Sequence, residues 1–219
     1  GNQVSTLKKG DVVFCPFTTN CGRCYYCEVG LTARCERGQL FGWVEKGKGL
    51  HGTQAEYVRV PMAESTVMKV PSELPVEDAL LMGDNFTTGF FCAEMAEIQS
   101  PGTYLVLGCG TVGLMTIQAA RELGAENLYA FDPVEYRAKQ ANDFGAVGVS
   151  DPIELESRIK EATQGRGVDS VLEVVGSIQA QELAICMLRP GGILAVAGVH
   201  TADRFSFSPV DAFDMNLTY

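Results

Sequence analysis

"YLVLGCGTVGLMTIQAARELGAENLYAFD", residues 104–132, decides the fold. An apolar run from Tyr104 to Leu107 leads into Gly108, Gly110 and Gly113. A helical pattern follows, and then a second apolar run that ends in Asp132. G-x-G-x-x-G is a weak signal by itself. Between a strand and a helix, with an acid about 20 residues further on, it is the arrangement that binds dinucleotides. The first glycine permits the turn, the second lets a pyrophosphate approach the backbone, and the third lets helix and strand pack closely. The phosphates then meet the positive end of the helix dipole. Asp132 can accept hydrogen bonds from both ribose hydroxyls of NAD and would repel a 2′-phosphate, which favours NAD over NADP. Arg137, on the next helix, is placed to reach back toward it.

Outward from this stretch, short apolar strands alternate with amphipathic helices: "VEYRAKQANDFGA", "VGVS", "ELESRIKEATQG", "VDSVLEVVG", "QAQELAICMLRPGG", "ILAVAGV". Strand–helix alternation with nearly continuous apolar strands predicts an α/β fold, a parallel sheet covered by helices on both faces. Five strands are expected from Gly102 onward, with a sixth starting near "MNLTY". Up to about residue 70 the pattern is β-like and rich in loops. There "DVVFCPF" and "AEYVRV" (Ala55 to Val60) read as strands and "EKGKGLHG" as a glycine-dense connection. "SELPVEDALLMG" predicts a helix capped by Ser72 with Pro75 in its first turn, and a second helix is expected over Thr88 to Ile98.

S-adenosylmethionine methyltransferases also carry a glycine loop, an acid after the second strand and an "LRPGG"-like turn, here Leu188 to Gly192. The fold alone does not separate the two classes. The glycine spacing tells against a methyltransferase, and so does the segment upstream. "TTNCGRCYYCEVGLTARCERG", residues 18–38, places Cys21, Cys24, Cys27 and Cys35 in the spacing C-x2-C-x2-C-x7-C. Ligands two residues apart can turn around one ion, and four thiolates suit tetrahedral zinc. Disulfides would close strained short loops, and a redox C-x-x-C pair needs no further cysteines. Four thiolates leave no open position for water or substrate, so such a zinc is structural.

The totals set limits. With 46% hydrophobic and 20% charged residues, the 219-residue chain has a globular composition. A net charge of −10 argues against a nucleic-acid surface. No apolar run is long enough for a membrane helix. The polar opening "GNQVSTLKKGD" does not resemble a signal peptide. Beyond the cluster, Cys92, Cys109 and Cys186 lie in apolar segments where a thiol acts as a small hydrophobe. So many unpaired thiols point to a reducing, cytoplasmic setting. His51 reads as a surface loop residue. Cys109, near a helix start, is expected to be a packed residue and not a redox thiol.

With the glycine loop and the cysteine cluster in hand, the chain resembles the zinc-dependent medium-chain alcohol dehydrogenases. The branch it is most similar to includes glutathione-independent formaldehyde dehydrogenase and secondary-alcohol dehydrogenases. The likeness rests on "GTQAEYVRVP", "LLMGDNFTTGFFCAE", "VLGCGTVGL", "LRPGGILAVAGVH" and "FSPVDAFDMNLTY". It implies a partial GroES-like β domain with a structural zinc lobe over residues 1–85, and a Rossmann-type NAD-binding domain over residues 86–219. It further implies that Cys21, Cys24, Cys27 and Cys35 hold structural zinc, that Asp84 is one ligand of a catalytic zinc, and that Thr88 lies beside the nicotinamide. Gly108, Gly110, Thr111, Val112, Gly113, Asp132 and Arg137 match the NAD-binding positions. Val175, Gly198, Val199 and His200 match strand ends facing the nicotinamide.

The family's other two catalytic zinc ligands, a cysteine and a histidine followed by glutamate, are not found, and no Gly-His-Glu motif exists. Asp84 alone would then be a helix cap, and His200 a solvent or cofactor contact sooner than a substitute ligand. The chain is therefore expected to be a piece of a longer enzyme, truncated at both ends. The resemblance implies hydride transfer between an alcohol or aldehyde and NAD, in a homo-oligomer (dimer or tetramer) with no membrane or nucleic-acid partner. The alternative is a truncated homologue that binds NAD or another protein without redox chemistry.

Overall fold

The structure, a computed structural model, describes residues 4–219, apart from the side chain of Lys48. The first three residues of the polar opening, Gly1 to Gln3, lie outside that description. Two compact units meet in sequence between Asp84 and Asn85.

The first unit is sparse in regular structure. Strand β1 (Val13–Phe14), helix α1 (Tyr25–Glu28) and a 3₁₀ turn (Thr32–Arg34) precede β2 (Trp43–Glu45) and β3 (Lys48–Leu50). Then come α2 (Ala63–Thr66), β4 (Met68–Lys69) and α3 (Val76–Met82). Strands β1 and β4 pair antiparallel, as do β2 and β3. "EKGKGLHG", expected to be a plain connection, instead contains the hairpin turn. Lys46 and Gly47 both adopt positive φ, at 49° and 74°, the conformation that joins twisted strands through two residues. "AEYVRV" is not a strand: Tyr57 is 91% exposed, and none of the described strands pairs with it. A β-like composition without a partner forms no ladder. Ser72 does not cap α3; its hydroxyl donates to Glu73, and Pro75 is the capping residue. Proline disfavours helical backbone in the residue before it, so α3 starts after Pro75.

The second unit opens with α4 (Asn85–Met95), three residues earlier than the sequence suggested, and Glu97 at φ 48° follows its end. From there strand and helix alternate: β5 (Thr103–Leu107), α5 (Thr111–Glu122), β6 (Asn127–Phe131), α6 (Glu135–Asp143), β7 (Val147–Val149) and α7 (Pro152–Thr163). The chain continues through β8 (Val168–Glu173), α8 (Ile178–Met187), β9 (Leu188–Val196) and α9 (Pro209–Asp214). Five parallel strands lie in the order β7-β6-β5-β8-β9, the expected α/β sheet. Alternate residues of β5 serve two cores. Tyr104 and Val106 pack with Cys92, Ile117 and Ala120 from α4 and α5, while Leu105 and Leu107 pack with Leu155, Ile159 and Ala184 from α7 and α8. A strand buried on both faces has no polar side, which is why these segments read as unbroken apolar runs.

Three local differences have simple causes. "LRPGG" is not a turn outside the sheet: Leu188 already pairs with Val168, and an irregularity between Val168 and Ser170 absorbs the Pro–Gly–Gly step. "MNLTY" adds only an isolated bridge, Thr218 to Ile193, at the β9 edge. Cys92 and Cys109 are buried as expected, whereas Cys186 is exposed, because it falls on the outward face of α8.

Candidate functional site

The order in which strands are added reverses between β5 and β8, since β6 and β7 extend one way from β5, and β8 and β9 the other. Ligands of open α/β sheets bind at the carboxyl ends of the strands at such a switch point. The glycine loop stands there, between β5 and α5, and each glycine has a distinct reason. Gly108 adopts φ +98°, and a Cβ there would sit 2.8 Å from Val175 Cγ2. A Cβ on Gly113 would fall 1.9 Å from the Gly108 carbonyl oxygen, so helix and loop touch through backbone. A Cβ on Gly110 would meet nothing within 4 Å. That open space lies at the start of α5, where Gly110 is the N-cap and supplies no side-chain bond. The first amides of α5, from Thr111 through Gly113, thus lack intrahelical carbonyl partners and carry the positive end of its dipole. The cradle fits a pyrophosphate.

Asp132, 5% exposed, directly follows β6 beside this loop. Its Oδ2 accepts from the Cys109 N–H at 3.0 Å and its Oδ1 from the Val134 N–H at 2.9 Å. An ionised carboxylate has about four acceptor positions, so two remain for a ligand's hydroxyls. Arg137 reaches back as anticipated, Nη1 standing 4.0 Å from Asp132 Oδ2. Cys109 is packed inside the loop, and its thiol is pushed up to about 12 by burial and by the Asp132 charge, so it is no reactive thiolate.

On the opposite wall, Val175 and Val199 are exposed at the strand ends, Val199 to 85%. Gly198 lies against Gly176, where a Cβ would come within 2.2 Å of the Gly176 nitrogen. His200 is turned inward: its Nε2 stands 2.8 Å from Glu173 Oε2. Glu173, fully buried at the end of β8, escapes a reading by motif, because one acid in "VLEVVG" looks like any other. Its only signal was an ionisable residue directly after the buried apolar pair Val171–Leu172.

In the first unit the sulfurs of Cys21, Cys24, Cys27 and Cys35 all lie within 4.8 Å of one another. Cys24 Sγ is 3.5 Å from Cys27 Sγ and 3.9 Å from Cys35 Sγ. A tetrahedron of sulfurs about 2.3 Å from zinc has edges of about 3.8 Å, so the set fits a zinc ion. The Cys21 and Arg37 amides donate to Cys35 Sγ at 3.3 and 3.4 Å, the support a thiolate ligand needs. Backbone amides of Glu36 and Cys27 hold the Cys24 thiol down to about 6, while burial pushes Cys35 up to about 11. Around the cluster, Thr19 and Phe41 donate backbone bonds to Gln39 and Phe17, and the buried Asn20 amide donates to Thr66 Oγ1.

Asp84 follows α3 and lines an apolar cavity of about 670 Å³ within the first unit, with Cys15, Val58 and Leu80. Among the described residues the four cysteines are the one group of three or more His, Cys, Asp or Glu placed to hold a metal. That group does not include Asp84, so the described residues do not make a catalytic zinc site. Thr88 lies in α4 of the second unit, one residue before Gly89, whose Cβ position is 2.7 Å from the Thr116 nitrogen of α5.

Two family models match the chain: the alcohol dehydrogenase GroES-like domain over residues 1–72 and the zinc-binding dehydrogenase domain over residues 111–218. A medium-chain reductase/dehydrogenase of Acremonium sp. is 39% identical over 227 residues, covering 98% of this chain and 75% of that protein. The chain belongs to the zinc-type medium-chain alcohol dehydrogenase family. Zinc-type alcohol dehydrogenase B of Aspergillus flavus is 40% identical across 99% of the chain. Alcohol dehydrogenase TADH from Thermus sp. ATN1 superposes over the whole chain with a TM-score of 0.91 at 34% identity. The chain spans 52% of the Aspergillus flavus relative and 64% of the Thermus enzyme. As in that family, a GroES-like unit precedes a Rossmann-type one.

Proposed function

We propose that this chain supplies the NAD-binding half and the structural zinc lobe of an alcohol or aldehyde dehydrogenase. In this reading residues 1–85 form the GroES-like part and residues 86–219 the cofactor domain. One observation carries the proposal: an open cradle at Gly110, at the switch point of the sheet, beside a buried carboxylate with acceptor positions to spare. The α5 amides bind the pyrophosphate, Asp132 holds the adenosine ribose, and Val175 and Val199 form an apolar wall for the nicotinamide. NAD held there would supply hydride-transfer chemistry; the protein's share is orientation and exclusion of water. Cys21, Cys24, Cys27 and Cys35 hold the structural zinc, which shapes the first unit and takes no part in the reaction.

The substrate is a small alcohol or its carbonyl product. By the family resemblance Asp84 is one ligand of a catalytic zinc and Thr88 lies beside the nicotinamide, in an enzyme that works as a homo-oligomer in a reducing, cytoplasmic setting. The unpaired thiols support that setting. Among the described residues no helix is long and apolar enough to cross a membrane.

Titration with NADH, read by nicotinamide fluorescence, tests the cofactor assignment, with S-adenosylmethionine as the control ligand. Saturable NADH binding and none of the control is expected. Absence of NADH binding, or preference for S-adenosylmethionine, overturns it. Because the described residues form no metal group besides the four cysteines, this chain by itself is expected to bind NADH with little turnover of a panel of primary and secondary alcohols. A chain that turns over alcohols at rates typical of the family contradicts that expectation.

A further inference from the structure

Glu173 closes β8 with its side chain fully buried, and three donors converge on it. The backbone N–H groups of Val175 and Gly176 donate to Oε1, both at 2.7 Å. His200, from the segment after β9, meets Oε2 at 2.8 Å. A carboxylate accepts and cannot donate, so Nε2 carries the hydrogen in this pair. Burying a carboxylate is tolerated only when it is paired and hydrogen-bonded in this way.

The bonds have reach. Glu173 fixes the turn that aims Val175, and Val175 packs directly over Gly108, the first glycine of the loop. The Glu173 carbonyl oxygen also accepts from the Ala197 and Gly198 amides at 2.9 and 3.1 Å, drawing the end of β9 into the same knot. The turns after β5, β8 and β9 frame the crevice, and Glu173 links them: its carboxylate holds the β8 turn and His200, its carbonyl holds the end of β9, and Val175 carries the link to the β5 turn.

We propose that Glu173, clamped by His200, is a positioning residue for the dinucleotide: it sets the turn at Val175 and through it the glycine loop. The inference rests on the NAD reading above and changes one part of it. His200 serves the cofactor through Glu173 and not by contact.

Three forms of the 219-residue chain test this: the unaltered protein, His200→Ala and His200→Gln. His200 is partly exposed, so both variants should fold, and the glutamine amide can still donate to Glu173. Each is followed by NADH affinity and by the amide signals of Gly108, Val175 and Gly176 without ligand. We expect His200→Ala to shift those free-protein signals and weaken NADH about tenfold, the lower end of what losing an outer-shell hydrogen-bond partner costs at metal sites. His200→Gln should restore both. Weaker binding with unmoved signals means that His200 touches the cofactor itself and overturns the proposal. Unchanged affinity, with or without a loss of thermal stability, overturns it as well. If the unaltered chain fails to bind NADH, the dinucleotide reading falls and the proposal with it. The free-protein signals then still report whether the clamp links the three turns.

Discussion

A Cβ on Gly113 would lie 1.9 Å from the carbonyl oxygen of Gly108, so the third glycine of the loop touches the first through backbone alone. Gly110, between them in sequence, faces open space. One motif therefore holds glycines of two kinds, one required by the fold and one by the ligand.

Substitution should separate them. Gly113→Ala must push α5 away from the loop, and we expect a loss of about 1–3 kcal/mol, the usual range for overpacking, along with NADH binding. Gly110→Ala should stay within about 1 kcal/mol of the parent, the scale of an N-cap change, yet weaken NADH because its methyl group occupies the pyrophosphate's space. Thermal melts paired with NADH titrations read both effects. A Gly110→Ala chain that binds as well as its parent removes the cradle from the argument.

Asp132→Ser removes the acceptors for the ribose and the negative charge beside it. NADH should bind more weakly and NADPH comparatively better, with Arg137 then free to meet a 2′-phosphate. The ratio of the two dissociation constants is the measurement. A ratio unchanged from the parent would mean that this acid only braces the Cys109 amide.

Metal analysis should find one zinc per chain. Chelation should unfold the lobe, since the binding energy of structural zinc, on the order of 10 kcal/mol, is folding energy. The Thr19 and Phe41 amides, which close the lobe, report this in hydrogen exchange: they should be protected with zinc and exchange fast without it. Cys35→Ser should reproduce the chelated pattern. Protection that survives complete removal of zinc would show that the lobe folds without metal.

The scattered thiols give a prediction in pH. Burial pushes Cys92 up to about 12, with the Glu173 charge adding to it, from an ordinary value of 9.0. The folded state thus favours the neutral thiol. Stability from this group is intact below about pH 9 and declines as pH rises from there toward 12, because the unfolded thiol ionises first. At pH 8 the exposed Cys186 should be alkylated readily, while Cys92 and Cys109 should react only after denaturation. Mass spectrometry of the alkylated native chain decides this. Modification of Cys109 before Cys186 would contradict the packed loop.

Much of this protein was legible in its residues alone. The parallel sheet was, because strands buried on both faces are mostly apolar, and apolar runs such as Tyr104–Leu107 and Ile193–Val196 show at once. So were the glycine loop and the four cysteines, where local spacing fixes local geometry. "AEYVRV" misled because a strand exists only with its partner. Cys186 misled because a residue's face on a helix depends on where the sheet lies. Tertiary structure alone decided that His200 meets Glu173. That contact joins residues from two strand ends, brought together by the sheet and not by the chain's own order. Sequence records what each segment can do with its neighbours along the chain. Burial then determines which distant donor a group must meet, because an unpaired carboxylate cannot stay inside.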